Sequence, residues 1–205
     1  MARSRRVIFD IPTQADDKVI DGARIRILAQ PPDILQHFPP RHRLPLVLDQ
    51  IALRSAGLDW DAISHSDEIA SFLRETRDHM NQISSIWLVD SAGRVRASSE
   101  ATYPRNLTFE DREDFRSLRE GGGMLVGKPH LGAFALTRRR STTTGDFDGV
   151  FAIDVAIQYF ESFFQGLDEQ ARHRAVLVRA DGTVLAADSV GAEPRWFPPT
   201  SELMQ

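Results

Sequence analysis

The feature that most restricts the fold of this 205-residue chain is a ten-residue pattern that occurs twice. "LVDSAGRVRA" at 88–97 and "LVRADGTVLA" at 177–186 share five residues of ten at a constant offset: Leu, Val, Gly, Val and Ala. In each copy an apolar run enters a polar turn that holds a glycine, and a second run of strand-forming residues leaves it. That is the pattern of a β-hairpin whose glycine sits where the backbone needs positive φ. In the first copy the apolar run is Ile86, Trp87, Leu88 and Val89, and the glycine is Gly93. One such hairpin is common. Two, spaced about a small domain apart, point to a duplicated module.

The segments around the hairpins complete an α+β pattern. "LPLVLDQIAL" has the spacing of a helix from residue 46 to about Ser55, with Gly57 as its stop. "SHSDEIASFLRETRDHM" supplies a second helix, with Ser66 as N-cap and Ile69, Phe72 and Leu73 on one face. "GMLVGKPHLGAFALTRRR" and "DFDGVFAIDVAI" read as strands joined by the polar loop "RRRSTTTGDFDG". "IQYFESFFQGLDEQ" is a helix with Tyr159, Phe160, Phe163 and Phe164 about one turn apart. Helix, helix, hairpin, loop with a short helix, strands, helix and hairpin make a mostly antiparallel sheet with flanking helices. Residues 1–45 differ from the rest. They hold eight Lys/Arg against five Asp/Glu, and Pro12, Pro31, Pro32, Pro39, Pro40 and Pro45 break any long helix. A loosely structured arm is expected there, with "ARIRIL" as one short strand.

Several function classes are excluded. Cysteine is absent, which removes disulfides, thiolate metal sites and a cysteine nucleophile. The formal net charge is −4, so no overall basic field invites nucleic acid. No stretch approaches the roughly 18 apolar residues of a membrane span, and "MARSRRVIFDIP" lacks the apolar core of a secretory signal. "GGG" at 121–123 is no phosphate loop, the six histidines lack metal-ligand spacing, and no Gly-x-Ser-x-Gly elbow occurs. No catalytic residue, metal or cofactor is expected.

Four segments, in order, carry a resemblance: "GLDWDAISHSDEIASFLRETRDHMNQISSIWLVDSAGRVRASS", "LTFEDREDF", "GDFDGVFAIDVAIQYFESFF" and "AVLVRADGTVLAADS". Together, over residues 46–205, they resemble the double Cache (tandem PAS-like) sensor domains. These form the extracytoplasmic part of bacterial histidine kinases, diguanylate cyclases and chemoreceptors. The resemblance implies a PAS-like antiparallel sheet flanked by an N-terminal helix and lid helices. It implies a membrane-distal ligand-binding module over 46–168 and the incomplete start of a membrane-proximal module over 169–205. It further implies a non-enzymatic, periplasmic, normally membrane-anchored sensor, a homodimer along the N-terminal helix, and an output kinase, cyclase or receptor domain outside this chain. The alternative is a truncated fragment that acts only in protein interaction or dimerisation.

The same resemblance singles out a site. "LTFEDREDF" looks like the family's Asp-Arg-x-Tyr-Phe segment, a lid over the sheet, where a small charged ligand meets convergent polar groups. Arg112 offers a fork suited to a carboxylate or phosphate, or else pairs with Asp111 and fixes the lid. Asp111 suits an N-cap. Phe115 anchors the lid or lines the pocket. Asp114 stands where the family has an aromatic; facing the cavity, it favours a cationic group or water. Asp154 is a charge inside the apolar run "VFAIDVAI". The resemblance gives it the role of holding a ligand ammonium; otherwise it pairs with Arg138 or caps the next helix. Alternation sends Arg138 and Arg140 to one face and Arg139 to the other, and an inward Arg138 would meet an anion. Tyr103 and Arg105 lie in the loop before the lid, and Lys128 and His130 on the adjoining strand. Arg112 with Asp154 suits a zwitterion.

Overall fold

Period-two alternation organises the middle of this chain into a sheet with both faces covered. A computed structural model describes residues 43–104, 106–168, 176–179, 181–187 and 196. Most of the arm expected over 1–45, Arg105 and the larger part of 169–205 lie outside the described residues. The elements run α1 (Arg43–Arg54), α2 (Trp60–Ser64), α3 (Asp67–Asp78), β1 (Ile83–Asp90), β2 (Val95–Ser98), α4 (Glu113–Glu120), β3 (Met124–Val126), β4 (Ala133–Ser141), β5 (Phe147–Ala156), α5 (Ile157–Asp168), β6 (Val176–Val178) and β7 (Val184–Ala187). The first helix begins three residues before the expected start and takes in Pro45. Proline fits a first helical turn, where its missing N–H has no partner to lose. The helix after Ser66 forms as expected, with the Ser66 hydroxyl accepting from Ile69 N at 3.1 Å.

Five strands form one antiparallel sheet in the order β2-β1-β5-β4-β3, and β6-β7 forms a separate two-stranded sheet. The long strands β1, β4 and β5 therefore lie together at the centre. One face buries Ile86, Leu88, Phe134, Leu136, Phe151, Ile153 and Val155 against Val47, Leu48 and Ile51 of α1 and Ile69 and Leu73 of α3. The opposite face buries Trp87, Val89, Val150 and Ala152 against Phe109, Phe115 and Leu118 around α4. Each large apolar side chain so buried contributes about 1.5–3 kcal/mol over leaving it in water. That explains the apolar runs at 86–89 of β1, 134–136 of β4 and 150–153 of β5, which are buried on both faces. The architecture is α+β, as expected.

The second hairpin docks onto this body. Leu177, Leu185 and Ala186 join the same core as Phe164 of α5. Arg179, almost wholly buried, donates from Nη1 to the Val126 carbonyl of β3 at 2.8 Å. The second face of the sheet, under α4, is where polar groups collect.

Candidate functional site

Ser85, Asp154 and Ala135 are cross-strand neighbours on β1, β5 and β4. They lie on the face that α4 covers, just past the end of its apolar cluster. An ionised carboxylate in such a strand is costly unless charge-assisted hydrogen bonds offset its desolvation. Asp154 Oδ2 accepts two, from Ser85 Oγ at 2.7 Å and from the Trp87 indole Nε1 at 2.6 Å. Its Oδ1 is aimed elsewhere and stands 3.9 Å from Arg112 Nη1.

Arg112 is fixed from behind. Its Nε and Nη2 donate to the two oxygens of Asp114 at 3.0 and 2.9 Å, fork to fork. Its guanidinium lies 4.3 Å over the Phe109 ring. Asp114 is only 3% exposed and also accepts from Thr137 Oγ1 of β4 at 2.5 Å. Asp114 thus ties the start of α4 to the sheet and aims Nη1, the one terminal nitrogen it does not hold, at Asp154.

Between these groups lies a hollow of about 240 Å³. Its polar wall is Arg112, Asp154, Ser84 and Ser85. Its other wall is the β3–β4 segment: Lys128, His130, Leu131, Ala133 and Ala135. Lys128 reaches back to Glu113 at 2.8 Å, and Arg179 approaches the same carboxylate at 3.4 Å. The hydrogen bond from Lys128, above all, holds the Glu113 carboxyl below its ordinary range. Among the described residues no cluster of three or more His, Cys, Asp or Glu is arranged to hold a metal ion.

Of the residues singled out in the sequence, Arg112 and Asp154 meet at the hollow, and Asp114 stands directly behind Arg112. Lys128 and His130 line the far wall. Phe115 is fully buried against Phe147, ring centroids 5.4 Å apart, and anchors α4 rather than lining the hollow. Tyr103 packs edge-on to Trp87 at 5.7 Å, outside the lining. Arg138 corrects an expectation. It pairs with Asp49 of α1, on the opposite face of the sheet. The physical reason is alternation: Ala133, Ala135 and Thr137 take the hollow's side of β4, so Phe134, Leu136 and Arg138 take the other. Burial there lowers the Arg138 pKa. Asp111 is a second correction. Arg112 occupies the N-cap position of α4 without a side-chain cap bond, and Asp111 pairs with Arg116 instead. Arg105 lies outside the described residues.

Sequence reasoning missed Ser85, Trp87 and Thr137. Strand register would have found Ser85, opposite Asp154. Trp87 sits inside an apolar run, where nothing marks its indole N–H as a carboxylate donor.

No protein-family model and no curated protein matches the chain. Solved structures do match it. The extracellular domain of rpHK1S-Z16, a protein described as a histidine kinase, is 23% identical with a TM-score of 0.63 over 84% of this chain and 70% of its own. An extracellular ligand-binding receptor from Desulfohalobium retbaense is 16% identical with a TM-score of 0.52, over 77% of this chain and 33% of its own. The ligand-binding domain of the Pseudomonas aeruginosa amino-acid chemoreceptor PctC, in complex with GABA, is 15% identical with a TM-score of 0.52, over 80% of this chain and 74% of its own. At such identities the likeness is one of fold: the chain has the Cache-type fold of extracellular sensor domains from histidine kinases and chemoreceptors.

Proposed function

We propose that this chain is the ligand-binding part of an extracytoplasmic sensor whose hollow takes a small metabolite bearing an ammonium group, an amino acid or an amine. Residues 46–168 form the membrane-distal sensing module, and 169–205 begin a second, membrane-proximal one. The output kinase, cyclase or receptor domain belongs to another part of the signalling protein.

The observation that carries the reading is the state of Asp154. Two donors hold its Oδ2, while Oδ1 faces the hollow with its nearest cation at 3.9 Å, beyond hydrogen-bond reach. A ligand ammonium completes that carboxylate, and a ligand carboxylate meets Arg112 Nη1 across the gap. Formal charge supports the order of importance. Arg112 faces two carboxylates, Asp114 and Asp154, so the wall carries one negative charge in excess. An anion without an ammonium would meet that excess unfavourably.

Thermal-shift screening of amino acids, primary amines and simple carboxylates tests this directly. A ligand at 100 times its dissociation constant adds about 2.7 kcal/mol of stability. Ammonium-bearing compounds are expected to raise the melting temperature and simple carboxylates are not. Asp154→Ala removes the shift for every ligand, and Arg112→Ala removes it for zwitterions more than for amines. A folded sample that no ammonium compound stabilises would overturn the reading.

A second reading has one observation in its favour. Leu46 and Leu53, seven residues apart on α1, are 54% and 75% exposed. An apolar stripe at that spacing fits a helix pairing with a second copy of itself. A concentration-dependent dimer by light scattering that Leu53→Glu abolishes, in a chain no ligand stabilises, would favour interaction alone over sensing.

A further inference from the structure

We infer that the tip between β3 and β4 is an apolar subsite at the mouth of the hollow. Its Leu131 selects ligands that carry a short aliphatic segment next to their ammonium. This rests on the reading of the hollow given above and goes on to name what the far wall recognises.

The tip is a two-residue hairpin. His130 N donates to Ala133 O at 2.7 Å, and Ala133 N donates back to His130 O at 3.0 Å. The residues between are Leu131 and Gly132, with φ of 49° and 78°. Such a turn needs positive φ at both positions, which Asn-Gly or Gly-Gly supplies with the least strain. Leucine is a poor choice, because its Cβ crowds the backbone in the left-handed region. Among the described residues Leu131 is the one non-glycine residue with positive φ.

The same side chain is 92% exposed, more than any other large apolar residue described. Asparagine there would relieve the strain and hydrate well. The chain instead holds a leucine that suffers on both counts, and holds it against the hollow.

The tip is also anchored. The Gly132 carbonyl accepts from Ile157 N, at the start of α5, at 3.0 Å. Leu131 is therefore presented from a fixed turn. Beside it, Ala133 and Ala135 on the hollow's side of β4 leave room along the floor. The hollow thus has a charged end, with Asp154, Ser85 and Arg112 and the small Ala135 beside Asp154, and an outer end where Leu131 and Ala133 supply the apolar surface next to His130 and Lys128. Its 240 Å³ falls below the roughly 300–1,000 Å³ of pockets for drug-sized ligands, which limits the aliphatic part to a few carbons.

The test measures dissociation constants calorimetrically for methylamine through n-pentylamine on the wild type, Leu131→Asn and Leu131→Gly. Both substitutions suit a left-handed backbone, so the fold is kept. In the wild type, affinity is expected to rise two- to fourfold per methylene, the factor expected when a methylene leaves water for an apolar surface. In both variants the series flattens, while methylamine binds as before. A wild-type series without chain-length dependence, or a slope that survives in both variants, overturns the subsite but leaves ammonium binding standing. Failure of every amine to bind the wild type overturns the subsite, and the hollow reading falls with it only if amino acids fail to bind as well.

Discussion

The two hairpins of this chain are nearly the same object in different company. In the first, Leu88 pairs with Ala97 and Val89 with Val95; in the second, Leu177 pairs with Ala186 and Val178 with Val184. The register slips at the same place in both. Gly93 N donates to Asp90 O and Gly182 N to Arg179 O, each at 2.9 Å. Even the next contact returns: Arg94 bridges Thr108, and Thr183 bridges Trp196. Local sequence alone dictates this much, and it does so twice.

The residue that opens the turn is where they part. Asp90 turns inward on its own hairpin: Oδ1 accepts from Ala92 N and Arg94 N, and Oδ2 pairs with Arg96. Arg179, at the equivalent position, pairs with Asp181 of its own turn at 2.7 Å but also reaches out, donating to Val126 O and approaching Glu113 at 3.4 Å. The first hairpin is a member of a five-stranded sheet and delivers Ser85 and Trp87 to Asp154. The second, among the described residues, is a sheet of two tied to the first body by Arg179 and by Leu177, Leu185 and Ala186. A hairpin's shape is thus a local property, and its role comes from what its strands meet.

The sharpest way to break this comparison is to place the same methyl group in both turns. At Gly93, φ is 81° and a Cβ would come within 2.8 Å of Glu110 N. At Gly182, φ is 88°. Gly93→Ala is expected to cost about 2–3 kcal/mol, from backbone strain together with that close approach. Gly182→Ala is expected to cost about 1 kcal/mol from backbone strain. Urea denaturation measures both, and equal costs would mean that the two hairpins support the fold alike.

A smaller effect tests the tie between them. Because Lys128, foremost, and Arg179 stabilise ionised Glu113, its folded pKa lies below the ordinary 4.5. A depressed carboxyl contributes stability that is fully present above pH 4.5 and is lost as pH falls through the folded value. Glu113→Gln is expected to lower stability at pH 7 and to flatten its fall over that acid range, so that mutant and wild type converge at the acid end. A mutant with the wild-type acid profile would show that Glu113 takes no part in the tie.

How much of this was legible in the sequence follows from the same division between local and distant causes. Gly93 and the alternation around it announced the first hairpin, and Ser66 announced α3. Asp154 was conspicuous as a charge inside an apolar strand, and Arg112 was singled out by family resemblance. Alternation told that Arg138 and Arg140 share a face. Which face depends on α1 and on the pairing of β4 with β5, and neither is local. The role of Asp114, holding Arg112 to Thr137, depends on a contact 23 residues away. Trp87 counted as an apolar residue, and only the fold turned its N–H toward Asp154.

That N–H supplies the most direct test of the central claim, that the space between Arg112 and Asp154 receives a ligand ammonium. The chain has three tryptophans, whose indole N–H groups donate to three different places: Trp60 to Asp148, Trp87 to Asp154, and Trp196 to Asp181 beside the second hairpin. Titration of 15N-labelled protein with n-propylamine should move the Trp87 indole resonance saturably and leave those of Trp60 and Trp196 in place. A Trp87 resonance that stays fixed through the titration, or three resonances that drift together, would contradict it.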